Sequence, residues 1–405
     1  MSMLDEAVLP VLPVETDEFA SNPAPFLEEA RKQHPWLARF SQGYFVHGYQ
    51  ATCDLLADDE NLHSGFGPVI DFYEARGTMW GRFMDEIIMA RPGNSEGHKR
   101  LRASINKAFT PRRANDARDM MHQIITRLLD EWAPKGRFDF AEFASYIPIS
   151  VVCGLLGVST DEIPRIRSAL ESQQHSITLD PAAKPLFMAG WDVMWEFADA
   201  LVKDREAGGA LDEGALLDTL ILAEHSGQID PTELRFMVLT LLFGGYDTTK
   251  NQLTMTMKLA VENPEIYERC ADDLKYCGKV VEEALRHTPT VSPFRRAARD
   301  FTYEGIRFRE GDTLVIATPL AGHDPSVFAE AESFDPARAN ANRHVGFGRG
   351  AHICVGQFVA KAILEESLHL IAGRIRHPKI EGRLEWRSIL GAYGLNSLPI
   401  AFDAG

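Results

Sequence analysis

Apolar residues recur at helical spacing along most of the chain, and only short stretches alternate as strands do. Turn signals at Gln42-Gly43 and Glu304-Gly305 divide some of these stretches into pairs. The spacing predicts helices over residues 25–34, 51–57, 95–108, 111–131, 140–153, 164–173, 192–206, 215–224, 231–262, 264–271, 275–287 and 355–375. Strands are predicted over residues 37–40, 44–46, 301–303, 306–308 and 313–316 and in parts of 384–401. Because these elements do not alternate as βαβ units, we expect a mainly α fold with a small β region.

The best-defined predicted helix covers residues 231–262 and is long enough, at about 48 Å, to cross the molecule. Asp230 is a typical N-cap, with an acid three residues on, and Pro264 stops the helix. An uncharged interior leads to Gly244-Gly245, and each glycine costs about 1 kcal/mol against Ala in a helix. We therefore expect this helix to be buried and to open locally at the glycine pair.

Composition places the chain among compact globular proteins. No linker, repeat or charge block divides its 405 residues, so a single domain over residues 1–405 is expected. The net charge, 42 minus 58 or −16, argues against nucleic acid as a partner. Five scattered cysteines are typical of reduced thiols in a cytoplasm. Residues 1–28 contain neither a signal sequence nor an apolar run near 18 residues, so we expect no membrane anchor and a cytoplasmic protein.

The segment 344–356 carries the strongest chemical signal. Cys354 follows a glycine-rich loop and precedes a predicted helix, where the helix dipole and free N–H groups favour a thiolate. A soft thiolate suits haem iron. The glycine spacing also occurs in dinucleotide-binding loops, but no apolar strand precedes it here. Gly93-x-Ser95-x-Gly97 matches a serine hydrolase pattern, again without the strand that this pattern needs, so we interpret Ser95 as a helix cap.

The cysteine segment resembles the haem loop of the cytochrome P-450 family, Phe-Gly-x-Gly-x-His-x-Cys-x-Gly, at all six fixed residues over ten positions. The resemblance implies the cytochrome P-450 fold, with a long central helix over haem b. Cys354 is then the iron ligand, and Phe347, Gly348 and Gly356 shape the loop around the cofactor.

A second resemblance lies in the central helix. Gly244-Gly245-Tyr246-Asp247-Thr248 matches the family's oxygen-binding segment, which implies that Asp247 and Thr248 are the catalytic pair that delivers protons to dioxygen. From the residues alone, an acid and an alcohol in an apolar helix are costly unless they are satisfied. Thr248 could bond a backbone carbonyl that the expected opening frees.

Charged residues elsewhere match the family's supporting motifs. By resemblance, His98, Arg102, Arg295 and His352 bind the haem carboxylates, for which guanidinium and imidazole groups are suited. The resemblance also implies a buried structural network that supports the haem loop, formed by Glu283, Arg286 and Arg338. A surface ion pair is the simpler interpretation of a Glu-x-x-Arg motif taken alone.

The family positions imply an apolar substrate pocket, and hence a hydrophobic small-molecule substrate. The expected pocket residues are Phe72, Trp80, Phe83, Gly244, Val291, Phe294 and Tyr393. The implied activity is insertion of one atom of O2 into that substrate, with electrons from a ferredoxin and its reductase. A basic cluster is expected to dock the ferredoxin, and comprises Lys99, Arg100, Lys107, Arg112, Arg113 and Arg349. Two alternatives are a haem-thiolate peroxygenase and a non-catalytic haem sensor or docking protein.

Overall fold

Helices form most of the chain in a computed structural model that describes residues 9–177, 181–212 and 214–404. Their positions follow the apolar periodicity of the sequence closely, and most begin at a capping side chain or an N-terminal proline. The helices are α1 (Asp17–Ser21), α2 (Ala24–Gln33), α3 (Tyr49–Ala57), α4 (Gly67–Phe72), α5 (Met79–Glu86), α6 (Glu96–Asn106), α7 (Pro111–Asp116), α8 (Arg118–Trp132), α9 (Phe140–Leu156), α10 (Ile163–Gln173), α11 (Lys184–Ala207), α12 (Leu216–His225), α13 (Pro231–Glu262), α14 (Pro264–Cys270), α15 (Leu274–His287), α16 (Thr318–Ala321) and α17 (Gln357–Arg374).

The strands are short and belong to several small sheets. One sheet has the order β1-β2-β9-β6-β3, another the order β10-β14-β4, and the remaining strands pair in twos as β11-β13, β12-β5 and β7-β8. The strands are β1 (Leu37–Phe40), β2 (Gly43–Val46), β3 (Leu62–Ser64), β4 (Arg137–Asp139), β5 (Val291–Ser292), β6 (Phe294–Ala297), β7 (Phe301–Tyr303), β8 (Ile306–Phe308), β9 (Thr313–Ile316), β10 (Ile375–Ile380), β11 (Glu385–Arg387), β12 (Gly391–Ala392), β13 (Gly394–Ser397) and β14 (Pro399–Ala404).

The central helix α13 confirms its predicted bounds. Asp230 accepts hydrogen bonds from backbone N–H groups of the first turn, and Glu233 bonds back to the Asp230 N–H in a complete capping box. The expected local opening is wrong, because the chain is helical throughout residues 231–262. Packing explains one glycine of the pair, since a Cβ on Gly245 would lie 2.7 Å from a methyl of Val152 on α9.

The predicted and observed elements differ where local signals were weak. The predicted helix 111–131 is two helices, because α7 ends at Asp116 and α8 starts at Arg118. Helix α11 begins eight residues before its predicted start, at Lys184 rather than 192. Several short elements were not predicted, namely α1, α4, α5, α16, β3, β4, β5, β6 and β10.

The core consists of three apolar clusters. The largest joins α8, α9, α15 and α17 to the second half of α13, and a second surrounds the first half of α13 with α5, α6, α10, α11 and α12. The third lies under the larger sheet, around β2 and β9. Helix α13 thus passes from one main cluster to the other, so its midpoint lies between them.

Two expectations concern segments outside the core. Ser95 is the N-cap of α6 and accepts a hydrogen bond from the His98 N–H at 3.2 Å, as predicted for a cap and not for a hydrolase elbow. In the described part of the chain, no helix combines the length and hydropathy needed to cross a bilayer. Part of the expectation about an N-terminal anchor concerns residues 1–8, which lie outside the described residues.

Candidate active site

The cysteine loop is a tight turn that ends at Cys354. The Cys354 N–H donates to the Phe347 carbonyl at 2.8 Å, which closes the loop. Gly348 and Gly350 have φ values of 72° and 69°, which other residues rarely adopt. Gly350 also approaches α3 so closely that a Cβ would lie 2.9 Å from the Ala57 Cα. Both glycines are therefore required by the shape of the loop.

The sulfur of Cys354 lies just before the N-terminus of α17. The helix starts two residues later than its predicted start, at Gln357, with Gly356 as N-cap. Burial raises the pKa of the Cys354 thiol, although a hydrogen bond from the Gly356 N–H and the charge of Arg102 act in the opposite direction. The expected bias toward thiolate is therefore present but is outweighed by burial in the protein by itself.

The four residues expected to bind haem carboxylates meet in one place. The rings of His98 and His352 are 4.7 Å apart, and burial lowers the pKa of His352 to about 3, with help from Arg295. Burial also lowers the pKa of His98, Arg102 and Arg295. We call these four residues, together with Asp59, the carboxylate cradle.

The cradle contains too little negative charge for its cations. Asp59 Oδ1 lies 3.4 Å from His352 Nε2, but no carboxylate of the described residues is within 4.0 Å of the guanidinium of Arg102 or Arg295. Among the same residues, the buried Nε2 of His98 has no hydrogen-bond partner. Partly buried cations and a buried imidazole nitrogen without a partner are costly unless an anion meets them. The donor set therefore fits the two carboxylates of haem b beside a cysteine ligand.

Thr248 and Asp247, near the midpoint of α13, are both hydrogen-bonded. Thr248 Oγ1 donates to the Gly244 carbonyl at 2.7 Å, as expected for a hydroxyl in an apolar helix. The Asp247 carboxylate accepts from Arg387 at 2.8 Å, from Gln174 at 3.3 Å and from Asn251 at 3.4 Å. Asp247 thus joins α13 to β11 and to the segment that follows α10.

A space adjoins this part of the central helix. Gly244 is exposed although it lies near the middle of a 32-residue helix with buried residues at both ends. In the chain as described, a Cβ on Gly244 would meet no atom within 4 Å. Phe243, Asp247 and Thr248 beside it are half-buried. Val355, next to Cys354, and Phe243 pack against the same apolar cluster, so the cysteine loop and this part of α13 both adjoin that cluster.

The structure distributes the expected pocket residues over different environments. Val291 and Phe294 are half-buried, like the neighbours of Gly244. Trp80 and Phe83 are 1% and 2% exposed and pack within an aromatic cluster, in which Phe83 contacts Phe243 beside the space and Trp80 contacts Phe187.

The two remaining pocket candidates lie elsewhere. Phe72 is 43% exposed at the end of α4. Tyr393 stacks on Trp386, and its hydroxyl donates to the Ala20 carbonyl at 2.7 Å. Tyr393 therefore faces the core near α1 and not the open face of α13.

Glu283, Arg286 and Arg338 meet in a buried ion network. Glu283 and Arg286 are both 0% exposed and paired at 2.5 Å, and Arg338 Nε lies 3.1 Å from the same carboxylate. Arg286 also donates to the carbonyls of Gly322 and Ser333. The network ties α15 to the chain that leads into the cysteine loop.

Sequence reasoning did not identify Asp59 or Arg387 as site residues. Both are ordinary charged residues without a motif, and only the fold brings them to His352 and Asp247. Glu282 was missed as well, although it binds both Lys361 and His344, which flank the cysteine loop. Burial alone would raise the pKa of Glu282, but hydrogen bonds from His344 and Lys361 and the charge of Lys361 lower it to about 2.

Similarity to known proteins extends over nearly the whole chain. A sequence model described as Cytochrome P-450 matches residues 176–374. Luteothin monooxygenase of Streptomyces thioluteus is 32% identical over 394 residues, which is 96% of this chain and 95% of that protein.

Solved structures also match the fold over nearly the whole chain. The structure of epothilone B-bound cytochrome P450epoK has a TM-score of 0.88 at 20% identity and covers 97% of this chain and 100% of its own. P450BioI, solved with a fatty-acid-ligated acyl carrier protein, has a TM-score of 0.84 at 23% identity. The match covers 96% of this chain and 100% of the P450BioI chain. At these identities the matches show the fold alone, and it is the mainly α fold with a small β region expected from the sequence.

Proposed function

The chain belongs to the cytochrome P-450 family and is a haem b monooxygenase, and from that premise we propose its substrate class, its electron donor and its site residues. Its substrate is a hydrophobic small organic molecule. Its electrons come from a ferredoxin and a ferredoxin reductase, and it acts in the cytoplasm. Haem supplies the oxygen-activating redox chemistry when bound, while the protein supplies the ligand, protons and pocket.

The observation that carries the site assignment is the unmatched cation set beside Cys354. Arg102 and Arg295 are half-buried without an ion-pair partner among the described residues, and the buried Nε2 of His98 has no hydrogen-bond partner there. Cys354 would bind the haem iron, the Gly356 N–H donates to the Cys354 sulfur, and Phe347 and Gly348 fix the loop. Glu283, Arg286 and Arg338 hold that loop through the buried ion network.

The polar groups of α13 move protons. Thr248 rotates its hydroxyl from the Gly244 carbonyl toward the open side of the helix, and Asp247 passes protons to it from solvent. The three hydrogen bonds on Asp247 must be partly released for this, and the longer ones, to Gln174 and Asn251, are the weaker.

An apolar substrate fits the open face of α13. Gly244 leaves room beside the helix, and Phe243, Val291 and Phe294 are half-buried and present apolar surface. Burial of apolar surface contributes about 25 cal/mol per Å2, so a ligand without charges is favoured here.

Substitution of the ligand tests the assignment of Cys354. In Cys354→Ala, the reduced carbon monoxide complex should lose the long-wavelength absorption band of thiolate ligation. Cys53→Ala, on α3 and 9% exposed, is the matched control and should keep the band. A band that survives in Cys354→Ala would show that another residue binds the iron.

Removal of one hydroxyl tests the proton role. Thr248→Ala should bind haem and a substrate found by the haem spin-state shift, but should divert electrons from NADH to hydrogen peroxide. Thr240→Ala is the matched control, because Thr240 makes the same 2.7 Å bond to the carbonyl four residues back on α13. Equal product per NADH in Thr248→Ala and the parent would contradict the relay. Product formed from added peroxide but not through the ferredoxin pair would favour a peroxygenase.

A further inference from the structure

A carboxylate on α15 binds residues on both sides of the cysteine loop. Oε2 of Glu282 lies 3.2 Å from Nε2 of His344, at the start of the loop, and Oε1 accepts a hydrogen bond from Nζ of Lys361, on α17 after the loop. The Glu282 side chain is 28% exposed, and those of His344 and Lys361 are 6% and 25% exposed. Partly buried charges are screened less than surface ones, so these contacts restrict where both sides of the loop lie.

The hydrogen bonds of His344 select one form of its ring. The Gly346 N–H donates to Nδ1 at 3.2 Å, so Nδ1 carries no proton and the ring is neutral. The single ring proton is then on Nε2, and it is donated to Glu282. One neutral imidazole thus makes both contacts, and the carboxylate keeps Nδ1 available as the acceptor for Gly346.

Gly346 leads directly to the backbone contact that closes the loop. Phe347 follows it, and the Phe347 carbonyl accepts from the Cys354 N–H at 2.8 Å. A Cβ on Gly346 would lie 3.2 Å from the Leu285 carbonyl oxygen, so this part of the loop is in close contact with α15. A rotation of the peptide between Gly346 and Phe347 would therefore displace the hydrogen bond on the Cys354 backbone.

We propose that Glu282 is a positioning residue, which acts through His344 on the Gly346 peptide and so keeps Cys354 in place as the haem ligand. The chain of bonds runs from the carboxylate to the ring, from the ring to the Gly346 N–H, and from the next residue's carbonyl to Cys354. Groups that lock the geometry behind a ligand make its site precise. The proposal rests on the proposed function, since it requires haem at Cys354.

The durability of thiolate ligation in the holoenzyme tests the proposal. In Glu282→Gln, the long-wavelength band of the reduced carbon monoxide complex should decay about fivefold faster, as for the loss of one hydrogen bond. Each protein is kept at the same interval below its own thermal unfolding midpoint, which removes the effect of a general loss of stability. Glu365→Gln is the matched control, because this carboxylate on α17 is 20% exposed and pairs with Arg118, and its band should decay as in the parent.

Two substitutions of the ring separate the hydrogen-bond chain from ring packing. His344→Phe keeps an aromatic ring but removes both bonds, and should speed the decay as Glu282→Gln does. His344→Asn can accept from the Gly346 N–H through its side-chain oxygen, and should recover most of the durability of the parent. Adding Glu282→Gln to His344→Phe should have little further effect, since the chain of bonds is already broken.

Three results would overturn the role of Glu282. The first is equal decay in Glu282→Gln and the parent, and the second is an undiminished effect of Glu282→Gln in the His344→Phe background, because the carboxylate would then act by charge alone. The third is decay as fast in His344→Asn as in His344→Phe, since ring packing would then hold the loop. A parent without the long-wavelength band would instead count against haem ligation by Cys354, and so against the proposed function.

Discussion

At the scale of single residues, burial decides the protonation state of several histidines. His47 is 0% exposed, and neither ring nitrogen has a hydrogen-bond partner among the described residues. Burial, aided by the positive charge of Arg31, lowers its pKa to about 3, and burial lowers the pKa of His287 to about 3 as well. Both side chains are therefore neutral in the folded protein at any pH where the protein is handled.

Because of this, the protein should lose stability in mild acid. Below about pH 6.5 the unfolded chain binds a proton at His47 that the folded chain excludes until about pH 3. The free energy of unfolding should therefore fall by about 1.4 kcal/mol per pH unit for this residue as the pH decreases below 6.5. Denaturant titrations of the parent and of His47→Leu, from pH 7.5 to 5, measure the difference in slope.

An exposed histidine provides the control for this prediction. His122→Gln, on the solvent side of α8, should keep the pH dependence of the parent. In His47→Leu the slope of unfolding free energy against pH should be smaller, by an amount equal to about one proton bound on unfolding. Identical slopes in all three proteins would show that His47 is not held neutral.

Sequence alone identified residues whose motif is local and missed those whose role depends on distant contacts. Cys354 was assigned from ten consecutive positions, and the structure brings His98, Arg102 and Arg295 to one place near it. Asp59 had no such pattern, because its partner His352 is almost three hundred positions away. A single sequence contains no signal for a pair of that kind.

At the scale of elements, the two adjacent glycines of α13 have different causes. Gly245 allows α9 and α13 to approach, because a side chain there would meet Val152. Gly244 faces the open space, where a methyl group added to it would contact no atom of the described chain. The same local sequence predicted an opened helix, since it gave no information on how each glycine is packed.

The pair predicts opposite effects of the same substitution. Gly245→Ala should destabilise the protein by about 1–2 kcal/mol, because overpacking against Val152 exceeds the gain in helix propensity. Gly244→Ala should be neutral or stabilising by up to about 1 kcal/mol, but should weaken binding of a bulky substrate. Thermal unfolding and spin-state titrations measure these two effects.

Relief of the clash supplies the control. Adding Val152→Ala to Gly245→Ala should recover part of the lost stability, since the colliding methyl groups are removed. A Gly245→Ala protein as stable as Gly244→Ala would contradict the assignment of Gly245 to helix packing.

The limits of prediction at this scale follow from helix and strand length. The 32 residues of α13 contain many turns of periodic pattern and a strong cap, so both ends were predicted correctly. Strand β6 has four residues, two of them arginines, and it exists because β3 and β9 pair with it. Tertiary pairing of this kind leaves no periodic signal in the strand itself.

At the scale of the whole molecule, net charge and local charge have opposite signs. The chain carries −16, but Lys107, Arg112 and Arg113 are exposed around α7, which packs against α17, the helix after Cys354. Ile353 and Phe358 expose apolar surface beside them, at 37% and 38%.

The structure also narrows the basic cluster expected from the sequence. Arg100 is bound to the buried Glu233 at 2.5 Å, and Lys99 pairs with Glu96 at 3.2 Å. Arg349 donates to the hydroxyl of Tyr49. The cations left for a partner are therefore mainly those near α7, and we call Lys107, Arg112 and Arg113 the α7 patch.

The α7 patch should control the rate at which an acidic ferredoxin reduces the haem. Arg112 is 90% exposed, and its nearest acid, Asp116, is 3.9 Å away and contributes little, so its charge is available to a partner. Arg112→Glu should slow reduction several-fold at low salt, and the difference from the parent should vanish as salt screens charges beyond about 8–10 Å.

Arg376→Glu makes the same charge change beyond the far end of α17, about 27 Å along the helix from the cysteine loop, and should leave the rate unchanged. Stopped-flow reduction at several ionic strengths measures all three proteins, with substrate affinity as the check that the pocket is intact. Equal rates in Arg112→Glu and Arg376→Glu would mean that the long-range charge of the whole molecule, and not the α7 patch, governs the encounter.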